Sequence, residues 1–277
     1  NTLAFASDTF NGKQKIRALA TLTLSFPIAS VLGVPIGAWV GDVFSWRAPF
    51  IFIALAGFIC GLFILRLQAI TGTKEKSILP QYRELISLWG DRKLRAIFGI
   101  QFLMQIGLFG FVPQISIWLT MNYQMSTTEI GICYMQGGIG AIIGNLTARH
   151  LLQHNYSSSL ISIGSLVMGV TLLCFTMELF GPGLAGLAFA CTMFGGSLRM
   201  PALQVMLSEL TSVNLRGRLL SMSMIVANVS MGLGGVWSLP FLSIESGRLV
   251  GIELIGWVSF ITLCFVPILM HRVKHIP

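Results

Sequence analysis

Charge is scarce in this sequence. Only 10% of its 277 residues are Asp, Glu, Lys or Arg, where a soluble domain carries about a quarter. That leaves too little ionic surface to keep a globule of this size in water, and it excludes both a soluble enzyme and a disordered chain. The five cysteines, Cys60, Cys133, Cys174, Cys191 and Cys264, all fall inside apolar runs. They read as small buried hydrophobes and not as a disulfide framework. No run alternates with period two, which disfavours a β-barrel. No phosphate-binding loop and no nucleophile–base–acid set can be found, which argues against an ATP-powered pump or a membrane enzyme. A start methionine and a signal peptide are also missing, so the chain is expected to begin part-way through a longer protein.

What the sequence has instead is apolar length. Hydrophobic residues make up 54% of it, with 19 Phe, 13 Met and 30 Gly, and the mean hydropathy is +0.80. A bilayer core of roughly 30 Å needs about 20 apolar residues in a helix. Eight stretches meet that need: Leu19–Val40, Ala48–Leu65, Ala96–Leu119, Thr128–Ala148, Ser157–Met177, Pro182–Met206, Leu219–Pro240 and Leu249–Met270. Pro27, Pro35 and Pro113 are expected to kink their helices.

Basic residues orient these spans. Lys13, Lys15, Arg17, Arg66, Lys74, Lys76, Arg83, Arg92, Lys93, Arg95, Arg149, Arg216, Arg218, Arg272 and Lys274 fall on one side. Only Arg47 and Arg248 fall on the other, and Arg199 lies inside a span. The positive-inside rule makes the first side cytoplasmic and places both ends of the chain there. Because the net charge of +8 is scattered between apolar runs, with no continuous stripe, a nucleic-acid partner is not expected. The long polar segment Arg66–Arg95 carries Leu79, Tyr82, Leu85, Ile86 and Trp89 at spacings of three and four. This pattern predicts a short amphipathic helix on the cytoplasmic membrane surface.

An internal repeat runs at an offset of 201 residues. Ser7-Asp8 returns as Ser208-Glu209, Lys15 and Arg17 as Arg216 and Arg218, Gly33 as Gly234, and Arg47 as Arg248. Two parallel copies related by an axis along the membrane normal form a transporter architecture. The second copy has four helices before its acid–arginine loop and the first has none, so a whole duplication implies about twelve helices.

At these residues the chain resembles the major facilitator superfamily. Asp8, Lys13 and Arg17 resemble the cytoplasmic loop before that family's fifth helix, and Gly33-Val34-Pro35-Ile36-Gly37 its glycine–proline motif. Trp46-Arg47 resembles the opening of the sixth helix, and Glu209, Gly217 and Arg218 the loop before the eleventh. The glycine–proline run is most similar to that of drug or sugar efflux permeases, although Val34 separates a glycine and proline that the antiporter pattern places together. Ala148 stands where the family's Gly-rich loop has an aspartate.

The resemblance implies an all-α integral membrane protein with a major-facilitator-type helical bundle, about eight of twelve transmembrane helices being present. Residues 1–65 would be the last two helices of an N-terminal bundle, 66–95 the cytoplasmic central loop with its amphipathic helix, and 96–277 a six-helix C-terminal bundle. Asp8, Arg17, Gly33, Pro35, Gly37, Glu209 and Arg218 would form structural or gating motifs. Polar residues at mid-depth suit a solute cavity near the midplane. These are Gln101 and Gln105, which share a helix face, then Gln136, Arg199 and Asn228; interhelical hydrogen bonding is the competing role. The expected function is secondary transport of a small solute by alternating access, in the efflux direction, with protons as a candidate coupling ion and the cell membrane as the location. A non-transporting scaffold or receptor of the same fold is the alternative. No cofactor or metal is implied. His150 and His154, like His271 and His275, are four apart but have no carboxylate or cysteine beside them.

The topology is directly testable. In a background without native cysteines, Ser77→Cys should resist a membrane-impermeant maleimide added outside intact cells. Strong labelling from outside would overturn the orientation.

Overall fold

A computed structural model describes residues 10, 12–65, 89–154, 156–210 and 213–274. Asp8 and the expected amphipathic helix up to residue 88 lie outside the described residues.

The first rod is broken. It runs as α1 (Gly12–Thr23), α2 (Ser25–Ile28), a π turn (Ala29–Gly33) and α3 (Val34–Val43). Proline is the cause: Pro27 and Pro35 lack an N–H, and each ring crowds the carbonyl four residues back. The π turn lengthens the hydrogen-bonded loop just before Pro35 and relieves that crowding. α4 (Ala48–Leu65) follows. Its main packing partner among the described residues is α3, and Phe50, Ile51, Ile53, Phe58 and Phe63 lie exposed around it. A helix hydrophobic all round needs apolar surroundings on every side.

Six further rods form the main body. α5 (Arg92–Phe109) is capped by Asp91, whose carboxylate accepts from the N–H groups of Lys93 and Leu94 at 2.7 and 3.2 Å. A 3-10 turn at Val112–Gln114, around Pro113, bends it into α6 (Ile115–Tyr123). α7 (Thr127–Leu152) opens with a capping box: Ser126 Oγ accepts from Glu129 N–H, and the Glu129 carboxylate accepts from Ser126 N–H. α8 (Ser157–Thr176) leads through a 3-10 turn (Pro182–Leu184) to α9 (Ala185–Glu209). α10 (Val213–Trp237) and α11 (Ile252–Lys274) complete the body.

Four of these stretches are long and apolar enough to cross a membrane: Arg92–Tyr123, Ser157–Thr176, Gly217–Phe241 and Ile252–Val273. Shorter apolar helices span Ala29–Val43 and Ala48–Phe63. α7 and α9 have 26 and 25 residues, but glycines and polar side chains dilute them. The last helix starts at Ile252, because Leu249 belongs to a hairpin of β1 (Ser243–Glu245) and β2 (Arg248–Val250), antiparallel with Ile244 opposite Leu249. Ser246 and Gly247 turn the hairpin with positive φ, and a strand of three residues is too short to show alternation.

The heart of the packing is α9, set between α7 and α8. α7 presents Gly137, Gly140 and Gly144 to it: a β-carbon at Gly140 would collide with the carbonyl of Ala190, and one at Gly144 with that of Phe194. Gly164 of α8 and Gly195 of α9 meet as closely. Small residues let the backbones touch, which dispersion requires where lipid offers no hydrophobic drive. α5 packs against α10 and α11, with Gly107 under Leu263, and α11 also lies along α8, where Gly169 meets Phe260 and Leu263. Gly140→Val should therefore lower the unfolding midpoint of the detergent-solubilised protein, at an overpacking cost of about 1–3 kcal/mol. Gly57→Val, where nothing lies within 4 Å, should shift it far less. Equal shifts would mean that the α7–α9 contact is loose.

Candidate functional site

The first candidate is the seam between the first rod and α7. α1, α2, the π turn and α3 all lie along α7. At one end, the Lys15 ammonium donates to the carbonyl of Ser208, in the last turn of α9, at 3.3 Å. A cation there completes a C-terminal carbonyl and complements the helix dipole. Next along the seam, Asn145 Nδ2 donates to Thr23 Oγ1 at 2.8 Å. At mid-height the π turn presses on Gly138, where a β-carbon would stand 2.9 Å from the N of Val31 and 3.1 Å from the O of Pro27. Gly131 faces Pro35 further on. The glycine–proline run thus sits where the first rod touches α7.

The polar residues singled out at mid-depth fall into different surroundings. Gln101 is fully buried and clamps α5 to α10: its Nε2 donates to the Ser223 carbonyl at 2.9 Å, and its Oε1 accepts from Ser223 Oγ at 3.0 Å. Gln105, one turn on along the same face, is buried too. Gln136 lies on an exposed stripe of α7 with Ile132, Ile139 and Ile143, and its amide oxygen covers Gly186. Arg199 is buried between α8 and α9: Nη2 reaches Met168 Sδ at 2.8 Å, Nε donates to the Gly196 carbonyl at 3.4 Å, and Nη1 has no partner among the described residues. Asn228 is exposed on α10.

The motif residues divide similarly. Arg17 is exposed on α1, Gly33 closes the π turn, and Pro35 and Gly37 begin α3. Glu209 ends α9, exposed, and Arg218 is half-buried in the second turn of α10.

A second polar constellation ties the opposite end of the body, and sequence reasoning missed it. The Asn122 side chain pairs with the backbone of Leu249 in both directions: Leu249 N–H donates to its Oδ1 at 2.8 Å, and its Nδ2 donates to the Leu249 carbonyl at 3.1 Å. The same Nδ2 donates to Glu178 at 2.8 Å, and Arg248 donates to Glu178 at 2.7 Å. Tyr123 OH donates to the Phe180 carbonyl at 2.9 Å. The end of α6, the α8–α9 loop and the hairpin are thereby held as one piece.

Comparison with known proteins decides what kind of body this is. The family model of the Major Facilitator Superfamily matches residues 1–270. The chain belongs to the Major Facilitator Superfamily. It is therefore a multi-pass helical membrane protein of a family of transporters, and not of enzymes. Among its relatives is the protein named uncharacterized MFS-type transporter YceJ of Bacillus subtilis (strain 168), 26% identical over 216 residues, or 76% of this chain and 53% of the relative. Another is multidrug resistance protein MdtG of Dickeya zeae (strain Ech586), 26% identical over 213 residues, covering 74% of this chain and 51% of that one. A bicyclomycin resistance protein homolog of Haemophilus influenzae (strain ATCC 51907 / DSM 11121 / KW20 / Rd) is 26% identical over 149 residues, 51% of this chain and 37% of its own. The chain spans about half the length of these curated relatives, or less. Membership in the Major Facilitator Superfamily bears out the resemblance read from the residues.

The two kinds of tie at the hairpin end differ in worth. Asn122→Ala strips two bonds from the backbone of buried Leu249, at about 1–3 kcal/mol. Arg248→Ala breaks an ion pair whose arginine is more than half exposed, worth about 0–1 kcal/mol. Thermal unfolding of both variants should rank Asn122→Ala as the more damaging; the reverse order would make the ion pair the dominant tie.

Proposed function

We propose that this protein is a secondary transporter of the cell membrane that moves a small solute by alternating access, in the efflux direction. The observation that carries the reading is the seam. A rod bent at a glycine–proline run lies along α7, touching it at Gly138 and Gly131, with the Asn145–Thr23 side-chain bond and the Lys15–Ser208 contact towards one end. Glycines on the α7 side of this seam offer a smooth surface on which one bundle can rock against the other, while the close-packed α7–α8–α9 body moves as a unit. The names of the relatives, with multidrug and bicyclomycin resistance among them, favour efflux. Protons are the candidate coupling ion.

In this reading residues 1–65 are the last two helices of one bundle, 66–95 is the cytoplasmic connection and 96–277 forms the other bundle, with both ends of the chain cytoplasmic. Of the five mid-depth polar residues, Asn228 and Gln105 suit solute contact best: neither side chain makes a hydrogen bond among the described residues. Gln101 is engaged with Ser223, and Arg199 with α8 and α9, so both act first as ties between helices. Gln136 borders the exposed stripe of α7.

The test is flux in vesicles carrying the full-length protein. Energised efflux of a panel of small organic solutes should be seen, and Asn228→Ala or Gln105→Ala should lower it about tenfold at equal membrane abundance, the worth of one lost polar contact. Vesicles with no flux of any solute would favour a scaffold or receptor. Flux unchanged in both variants would move the path away from α5 and α10.

A further inference from the structure

Arg199 stands apart from the other charges of the main body. Every carboxylate from Asp91 onward lies at a helix end or in a loop, whereas Arg199 lies inside α9. It is 1% exposed, and a guanidinium stays protonated even there. Side chains on a helix lean toward its N-terminus, and Nε follows this rule by donating to the carbonyl of Gly196, one turn back. In the proposed topology α9 runs toward the cytoplasm. The head is therefore aimed at the middle of the membrane, away from the water that a snorkelling arginine would reach. Gly196 stands about 15 Å from the Met206 end of the expected span, half of a roughly 30 Å core.

The bonds made there do not match the charge. Nη2 reaches the Met168 thioether, a weak acceptor, and Nη1 has no partner among the described residues. Nη1 is sealed within the α8–α9 contact, so its lack of a partner does not arise at an open face. Around the head the packing changes character. A β-carbon at Gly164 or Gly195 would collide with the facing backbone, but one at Gly196 would meet only Met168 Sδ at 3.5 Å and Arg199 Nη2 at 3.8 Å. Helix contact does not require Gly196; its missing side chain leaves room beside the guanidinium. Thr192, Gly196 and Arg199 share one stripe of α9 by their i, i+4, i+7 spacing. Thr192 Oγ1 donates to Thr171 Oγ1 of α8 at 3.2 Å. A guanidinium fork, a gap of methyl size and two hydroxyls thus follow one another along the α8–α9 interface.

We propose that Arg199 binds the carboxylate of an organic anion at this place and so selects for acidic solutes. The proposal rests on the transport reading and adds the charge of its solute. A carboxylate meets the fork of an arginine with two parallel bonds. One oxygen replaces Met168 Sδ at Nη2 once that flexible side chain turns aside, and the other completes Nη1. The gap at Gly196 admits the first carbons. Neutral solutes gain nothing from Arg199, and organic cations are repelled by it.

Equilibrium dialysis of the full-length protein in phosphatidylcholine nanodiscs tests this with radiolabelled benzoate, against benzamide as its uncharged counterpart. The wild type should retain benzoate, and benzamide roughly tenfold less. Arg199→Met should cut benzoate retention about tenfold or more, the worth of a charged hydrogen bond, and Arg199→Lys should recover part of it. Without benzoate, the unfolding midpoint of Arg199→Met should not fall, because the variant removes an unpaired buried charge. Gly196→Ala should also keep its midpoint, yet retain less benzoate because the gap is filled. It leaves the charge in place, so it decides the matter even if Arg199→Met does not fold. No retention of benzoate by the wild type, equal retention of benzamide, or undiminished retention in Arg199→Met or Gly196→Ala would overturn the proposal. Dialysis needs no flux. A protein that binds benzoate and transports nothing would contradict the transport reading alone, and one that exports neutral solutes without binding benzoate would contradict this proposal alone.

Discussion

Inside a bilayer, apolar side chains gain nothing by leaving lipid for one another, so helices associate only where their surfaces fit closely. The glycine face of α7 against α9 is where this protein meets that constraint. Gly137, Gly140 and Gly144 bring the α7 backbone onto the carbonyls of Ala190 and Phe194 and onto the Phe189 ring. α7 then has two further faces. Gly131 and Gly138 receive the first rod, and Ile132, Ile139 and Ile143 face outward. A single helix thus packs tightly against α9 on one face and receives the first rod on another. Both roles exclude large side chains.

Polar groups in this setting become scarce and directed. Gln101 finds both its partners on Ser223. Arg199 lies deep between α8 and α9 with a sulfur and a carbonyl as its neighbours. A charge of this kind costs roughly 2.5–3.5 kcal/mol at the centre of a bilayer on insertion scales, and the glycines around it allow the stem to pack between two helices. The ends of the body follow other rules. There, water competes for every bond, and the structure uses backbone pairing through Asn122 and a surface ion pair to hold the loops.

The helical runs and the proline breaks were legible in the sequence because length and composition act locally. A proline removes its own N–H whatever surrounds it. The tie around Glu178 was not legible, because Asn122 and Arg248 reach that carboxylate from 56 and 70 residues away. Nothing near Glu178 announces either partner. The side on which Gln101 or Arg199 points was hidden for a related reason: a polar residue at mid-depth carries the same local signal whether it faces a solute or the next helix. The repeat singled out Gly33 by matching it with Gly234, but the π turn that Gly33 closes emerged only with the backbone.

That π turn sets the phase of everything after it. A regular α-helix advances about 100° per residue, and the wider turn at Ala29–Gly33 holds one more residue than an α turn would. Trp39 and Asp42 therefore stand about a quarter-turn away from where an unbroken helix would aim them. A deletion of one codon in this stretch would restore regular winding and still leave a helix of ordinary composition. It would also rotate the whole last third of the rod against α7, exchanging the residues that touch its neighbour for those that face away from it. The stretch is accordingly intolerant of a change in length, a constraint that a hydropathy profile does not register.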